Sequence, residues 1–253
     1  MNLIEFKFWK MENFGKITFT ILFSLAAAVQ GVWAGPKILI PDATFNFGKV
    51  PQHVKISKTY WVKSVGDDTL RILTLIPGCG CTQIPLEDSV LAPGDSCSFE
   101  VQFSTLAYRG FITKKPYLTT NAGPENVYVE FNAEVIVDSS LFQPVRLNPY
   151  KLDVSQFTVE PRRKASSWIF NLSDQDLALT MVDAGSKNFV TELPKMVKSH
   201  DSAQVSVMVN ENALTKDFEQ SITFRVSDET NSLFTLPVQR MYRSPQPSGG
   251  NPK

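Results

Sequence analysis

The chain has 253 residues with 25 basic and 25 acidic side chains, a balance that gives no pull toward nucleic acid or an anionic membrane surface. Hydrophobic residues make up 43%, enough for packed cores and too many for wholesale disorder. Only two histidines occur, His53 and His200, which argues against a histidine-based hydrolase or a multi-histidine metal site.

The first element reads as a leader. Lys7, Lys10 and Lys16 give a positive segment, the apolar run "ITFTILFSLAAAV" follows from Ile17 to Val29, and "VWA" at 32–34 supplies a cleavage point before Gly35. That run has 13 residues, too few to cross a hydrocarbon core of roughly 30 Å as a helix. Residues 1–34 are therefore read as a secretory signal peptide, with Met11 an alternative start and an uncleaved signal anchor the minor alternative. The mature chain is expected to be periplasmic or secreted, where disulfides are permitted, and to contain no transmembrane segment.

From there on, short strands alternate with turn signals. "FNFGKV" (Phe45 to Val50) opens the series, and "VGDD" and "APGD" read as turns. If Tyr60 and Val62 face inward, Trp61 faces outward. Cys97, Phe99, Val101 and Phe103 alternate with Ser98, Glu100, Gln102 and Ser104, the period of a half-buried strand. "NAGPEN" reads as a hairpin loop, and "VYVEFNAEV" alternates again. No mature segment keeps a helical period.

The chain also repeats itself. "FNFGKV" falls on "LDVSQF" (Leu152 to Phe157) at an offset of 107, and "WVKSVGDDTLRILTL" falls on "WIFNLSDQDLALTMV" at the same offset, so that Trp61 meets Trp168. At an offset of 106, "CSFEVQF" meets "AQVSVMV". Two related units follow, 36–138 and 141–243, and the polar residues 244–253 are expected to be a disordered tail. About seven strands in each unit of about 100 residues predict an all-β chain of two tandem immunoglobulin-like β-sandwiches.

The first unit, with "FNFGKV", "GCGCT", "LAPGDSCSFEVQF" and "YLTTNAGPENVYVEFNAEV" in that order, resembles the bacterial domain of unknown function fifteen seventy-three. The resemblance covers roughly Ala43 to Val137. It implies an exported immunoglobulin-like sandwich, similar to sperm major-protein and ciliary ASH-type modules, without catalytic machinery. The second unit departs from the pattern, since "GSKNF" (Gly185 to Phe189) stands where Gly-Cys-Gly-Cys-Thr would be.

The three cysteines, Cys79, Cys81 and Cys97, admit four readings. On an extended strand Cys79 and Cys81 would point to one face with α-carbons about 6.6 Å apart, at the edge of disulfide reach. The reading favoured by the residues is a structural bridge from Cys79 or Cys81 to Cys97, worth about 3 kcal/mol for a loop of that length. The others are packed reduced cysteines, a soft-metal site for an ion such as Cu(I) with Cys97 or His53 as third ligand, and a redox centre. Asp67, Asp68, Asp174 and Asp176 read as turn formers and "EPRRK" (Glu160 to Lys164) as a solvated basic turn. Trp61 and Trp168 are candidates for a partner-binding surface or for packing between the units.

No Gly-x-Ser-x-Gly, phosphate-binding glycine loop or His-Glu-x-x-His is present. The sequence thus predicts a non-enzymatic module of the cell envelope with no cofactor, acting through sandwich faces or by strand addition on an envelope protein or surface polymer. The alternative is a thiol-based copper-binding or redox protein using the cysteines of the first unit.

Overall fold

The computed structural model describes residues 35–78, 82–83, 89–158, 160–185 and 187–244. The chain is all-β. The first half contributes β1 (Ile38–Leu39), β2 (Thr44–Pro51), β3 (Lys55–Ser64), β4 (Leu70–Ile76), β5 (Thr82–Gln83) and β6 (Val90–Leu91). It continues with β7 (Ser96–Ser104), β8 (Gly110–Lys114), β9 (Tyr117–Thr120), β10 (Gly123–Tyr128) and β11 (Glu130–Ile136). The second half adds β12 (Val145–Asn148), β13 (Leu152–Asp153), β14 (Lys164–Asn171), β15 (Leu177–Asp183) and β16 (Phe189–Glu192). It closes with β17 (Met196–Val197), β18 (Ser202–Val209), β19 (Phe218–Val226) and β20 (Leu233–Arg240). Among the described residues no helix is long and apolar enough to cross a membrane.

The strands form four sheets. Three have four strands each, in the orders β1-β3-β7-β5, β10-β9-β4-β6 and β12-β14-β18-β16. The fourth runs β17-β15-β19-β20-β2-β11-β8, with β13 also paired to β20. Alternation fills two hydrophobic cores between these layers. One core draws on residues 40–135, among them Phe47, Tyr60, Phe99, Phe103 and Phe131. The other draws on residues 136–238, among them Phe142, Phe189, Phe224 and Phe234.

"FNFG" owes its spacing to several demands at once. Phe45 and Phe47 pack edge-to-face with ring centroids 4.9 Å apart, and Phe47 meets Phe131 in the same manner at 5.7 Å. Between them, Asn46 accepts a hydrogen bond from the Gly48 N–H at 2.8 Å. Gly48 takes φ +65°, and the parallel register of β2 with β11 shifts there, between Asn46↔Asn132 and Lys49↔Glu134. The result is a bulge in which only glycine is relaxed.

The internal repeat is visible in the registers. Phe45 pairs with Phe131 in a parallel ladder, and 107 positions on Leu152 pairs with Val238, again parallel. Trp61 faces Ser98 across an antiparallel ladder, and Trp168 faces Gln204. Asp153 accepts from the Ser155 N–H at 2.8 Å, as Asn46 does from Gly48.

One sheet runs through both halves of the molecule because β2 lies beside β20, with Lys49 in register with Phe234. The Thr235 hydroxyl donates to the Phe47 carbonyl at 2.6 Å inside this seam. A second contact joins β3 to β19. There the buried Ser221 hydroxyl accepts from the Ser57 N–H and donates to the Ser57 carbonyl, both at 3.0 Å.

Candidate functional site

Cys79 and Cys81 lie outside the described residues. Cys97 sits near the start of β7 opposite Val62, 6% exposed in the first core, as a buried thiol. The bridge expected from Cys79 or Cys81 to Cys97 has its other end outside the described residues. Thr82 on β5 pairs with Phe103, six residues along β7 from Cys97.

The surroundings of Cys97 are apolar, which suits the packed-thiol reading. His53 follows β2 at φ +62°, near the Thr105 end of β7, so it is remote from Cys97. Among the described residues, no three His, Cys, Asp or Glu side chains gather to hold a metal ion.

The turn acids are engaged locally. Asp68 accepts from the Thr69 N–H, Asp174 pairs with His200 at 2.8 Å, and Asp176 takes Lys198 at 2.6 Å and the Ser199 N–H at 3.0 Å. In the basic cluster, Arg163 pairs with Glu211 and Lys164 lies 3.8 Å from Glu192.

The two tryptophans both stand outward, Trp61 at 55% exposure and Trp168 at 44%, while their neighbours Tyr60, Val62 and Ile169 are buried. The structure does not bring them together. Trp61 lines a cleft of about 740 Å³ that Trp168 does not reach.

That cleft lies where the first half meets the second. Its floor is β3 and β7, presenting Thr59, Trp61, Ser98 and Glu100. Alternation puts these side chains on the outer face of the sheet, opposite the core side of Tyr60 and Phe99. Pro41 and Asp42, just past β1, close one side. The opposite wall comes from the second half: Asp183 at the end of β15, Gly185, Lys187, Asn188, Lys216 and Gln220. Gly185, Lys187 and Asn188, from the "GSKNF" that stands in the place of the cysteine step, thus build part of this wall. Gly185 is required there, because it has φ +89° and a Cβ would stand 2.6 Å from both the Phe189 ring and the Ser221 carbonyl oxygen.

Polar contacts fix the cleft. Lys58, in phase with Tyr60 on β3, pairs with Asp183 at 3.0 Å, and its ammonium sits 4.6 Å from the centre of the Phe45 ring. The Asn188 side-chain amide donates to Gln220 Oε1 at 3.1 Å, and the Gln220 Nε2 donates to the Glu100 carboxylate at 3.2 Å. This carboxylate–amide–amide row ties β7 to the far wall. Burial, with the Asp183 carboxylate second, pushes the Tyr60 phenol up, so it stays neutral behind the floor.

Sequence reasoning did not find the wall residues. One local signal was available: Pro41 follows a two-residue strand, where a chain that cannot donate an N–H must leave its ladder.

Residues 38–135 match the family described as protein of unknown function, DUF1573. No curated protein matches the chain in sequence. Among solved structures, the chain is similar to a protein of unknown function from Porphyromonas gingivalis W83, with 14% identity, 81% of this chain and 99% of the other covered, and a TM-score of 0.33. It is also similar to the Vibrio cholerae VesB protease, at 13% identity, with coverages of 47% and 36% and a TM-score of 0.30. Domains 5-6 of the S-layer protein SbsC match at 13% identity, with coverages of 83% and 100% and a TM-score of 0.25. Likeness at these TM-scores carries no argument about function.

Proposed function

We propose that this chain is an exported, non-catalytic binding module of the cell envelope that engages its partner, an envelope protein or surface polymer, in the cleft between its two halves. The observation carrying this reading is the cleft itself. It joins an exposed indole to a row of ordered polar groups, walled by both halves and held in shape by the Lys58–Asp183 and Glu100–Gln220 contacts. An exposed aromatic beside satisfied polar groups suits recognition, since the indole offers apolar area at low entropic cost. The leader at 1–34 supports export. Cys97 lies in the first core and does not line this cleft.

The test is site-specific photocrosslinking in the intact envelope. Benzoylphenylalanine in place of Trp61 is expected to give a discrete adduct, and the same group in place of exposed Met208 is expected to give none. Equal adducts at both positions, or none at Trp61, would overturn the reading.

A further inference from the structure

The cleft floor holds a feature that side chains alone do not reveal. In an antiparallel ladder, alternate residues turn both main-chain groups toward the partner strand and the residues between turn both away. The phase of β3 is set by Ser57, whose N–H and C=O both point away from β7 and are taken by the Ser221 hydroxyl. The register from Lys55↔Ser104 to Lys63↔Ser96 is unbroken, so Thr59, Trp61 and Lys63 share that phase. Lys63 is covered, since β1 pairs Leu39 with it. Extending the β1 register by two residues would set Pro41 opposite Trp61, but β1 ends at Leu39 and proline has no N–H to give. Thr59 and Trp61 therefore direct two N–H and two C=O groups into the cleft, with no main-chain partner among the described residues.

We propose that the cleft takes an extended polypeptide segment of a partner protein by strand addition to the open stretch of β3. This deepens the binding-module reading and rests on it. From Ser57 to Lys63 the open edge runs about 20 Å, room for roughly five residues of added strand. The edge is stopped at one end by Ser221 and at the other by β1, which limits length and fixes register. Four main-chain groups spaced along a strand match the repeat of an extended backbone, and no globular surface presents that repeat except another sheet edge. The outward Trp61 indole covers one apolar side chain of the incoming segment. Charge does not select the ligand: Lys58 and Asp183 neutralise each other, and Lys187 and Lys216 on one wall are balanced by Asp42 on the other side and Glu100 on the floor. The walls also explain why an open edge is tolerated, because they exclude a second broad sheet while admitting a single strand.

The experiment uses the full secreted chain and two probes, acetyl-Thr-Val-Thr-Val-Thr-amide and a twin N-methylated at two adjacent central residues, which blocks both of its edges. Amide hydrogen exchange is read residue by residue. In the free chain, Thr59 and Trp61 are expected to exchange at least about tenfold faster than Lys58 and Tyr60, whose amides bond to β7. Saturating peptide is expected to slow Thr59 and Trp61 about tenfold, and the twin is expected to leave them unchanged. Thr59→Pro removes one of the open N–H groups without touching the β7 ladder, so it is expected to keep the melting temperature and lose the effect. Strand addition is overturned if Thr59 and Trp61 are already protected in the free chain, whether by the chain's own tail or by a second copy. It is equally overturned if the twin protects them as well as the peptide does. If the peptide perturbs Asn188 and Gln220 but not the two amides, strand addition fails while the cleft remains a binding site. The Trp61 crosslink decides that broader reading separately.

Discussion

Gly48 lies so close to Leu233 that a Cβ at position 48 would stand 2.1 Å from the Leu233 carbonyl oxygen and 2.4 Å from the Leu233 Cβ. The contact is between backbones, so no side-chain rotation relieves it. It occurs where β2 of the first half meets β20 of the second. Gly48→Ala forces a left-handed φ on a residue with a Cβ and pushes the two strands apart. A loss of about 3 kcal/mol is expected, from the strained φ plus overpacking. Urea denaturation checks it; an unchanged midpoint would mean that the seam opens at no cost.

Arg240 is fully buried, and its hydrogen bonds go to carbonyls and a side-chain amide. Its guanidinium donates to the carbonyls of Val154, Arg162 and Leu214 and to the Gln156 side chain, gathering three separate segments. Arg240→Met keeps most of the volume but leaves several buried carbonyls unpaired, for a cost of about 3 kcal/mol. Thermal melting measures it, and a loss below about 1 kcal/mol would show that water replaces the guanidinium.

Cys97 is expected to be recovered as a thiol. Denaturation without reductant, alkylation and peptide mapping should place the alkyl group on Cys97, and a peptide joining it to Cys79 or Cys81 would overturn that expectation. Cys97→Ala removes a small buried side chain and is expected to cost about 1 kcal/mol, since alanine already serves at Ala203, the matching position of the second unit.

Asp228 gives the pH prediction. Burial raises its pKa, but hydrogen bonds from the Ser232 N–H at 2.6 Å, the Ser232 hydroxyl at 2.7 Å and the Thr230 hydroxyl at 2.9 Å outweigh that and hold it below the usual carboxylate range. A depressed folded pKa stabilises the protein above the unfolded value of about 3.9 and ceases to do so as pH falls through the folded one. Asp228→Asn should therefore flatten the fall in melting temperature between about pH 4 and 2. An identical slope in the variant would show that the turn between β19 and β20 contributes nothing to acid sensitivity.

Much of the fold is legible in the chain. The alternation at Cys97 to Phe103 marks β7, and the pairing of Phe45 and Phe47 with Leu152 and Val154 marks the strand that opens each unit. Local period carries these, because each strand has one dry face. The cleft is different. Asp183, Asn188, Lys216 and Gln220 meet Trp61 only after β19 docks on β3, and nothing in the spacing of those residues announces it. The cysteine segment meets the same limit: periodicity tells which face Cys97 occupies, while the position of β5 along β7 depends on a long-range register. "GSKNF" taught something its letters hid. It reads as a decayed cysteine step, yet its glycine and asparagine shape the wall against the other half.

Near the two ends of the folded region, neighbouring strands run in the same direction: β2 with β11, β13 with β20, and β2 with β20 at the seam. Tension between the start of β2 and the end of β20 would pull these neighbours lengthwise in opposite senses. Their hydrogen bonds would then be loaded together and could not open one after another like a zipper. A chain held at both ends would resist extension as one mechanical body.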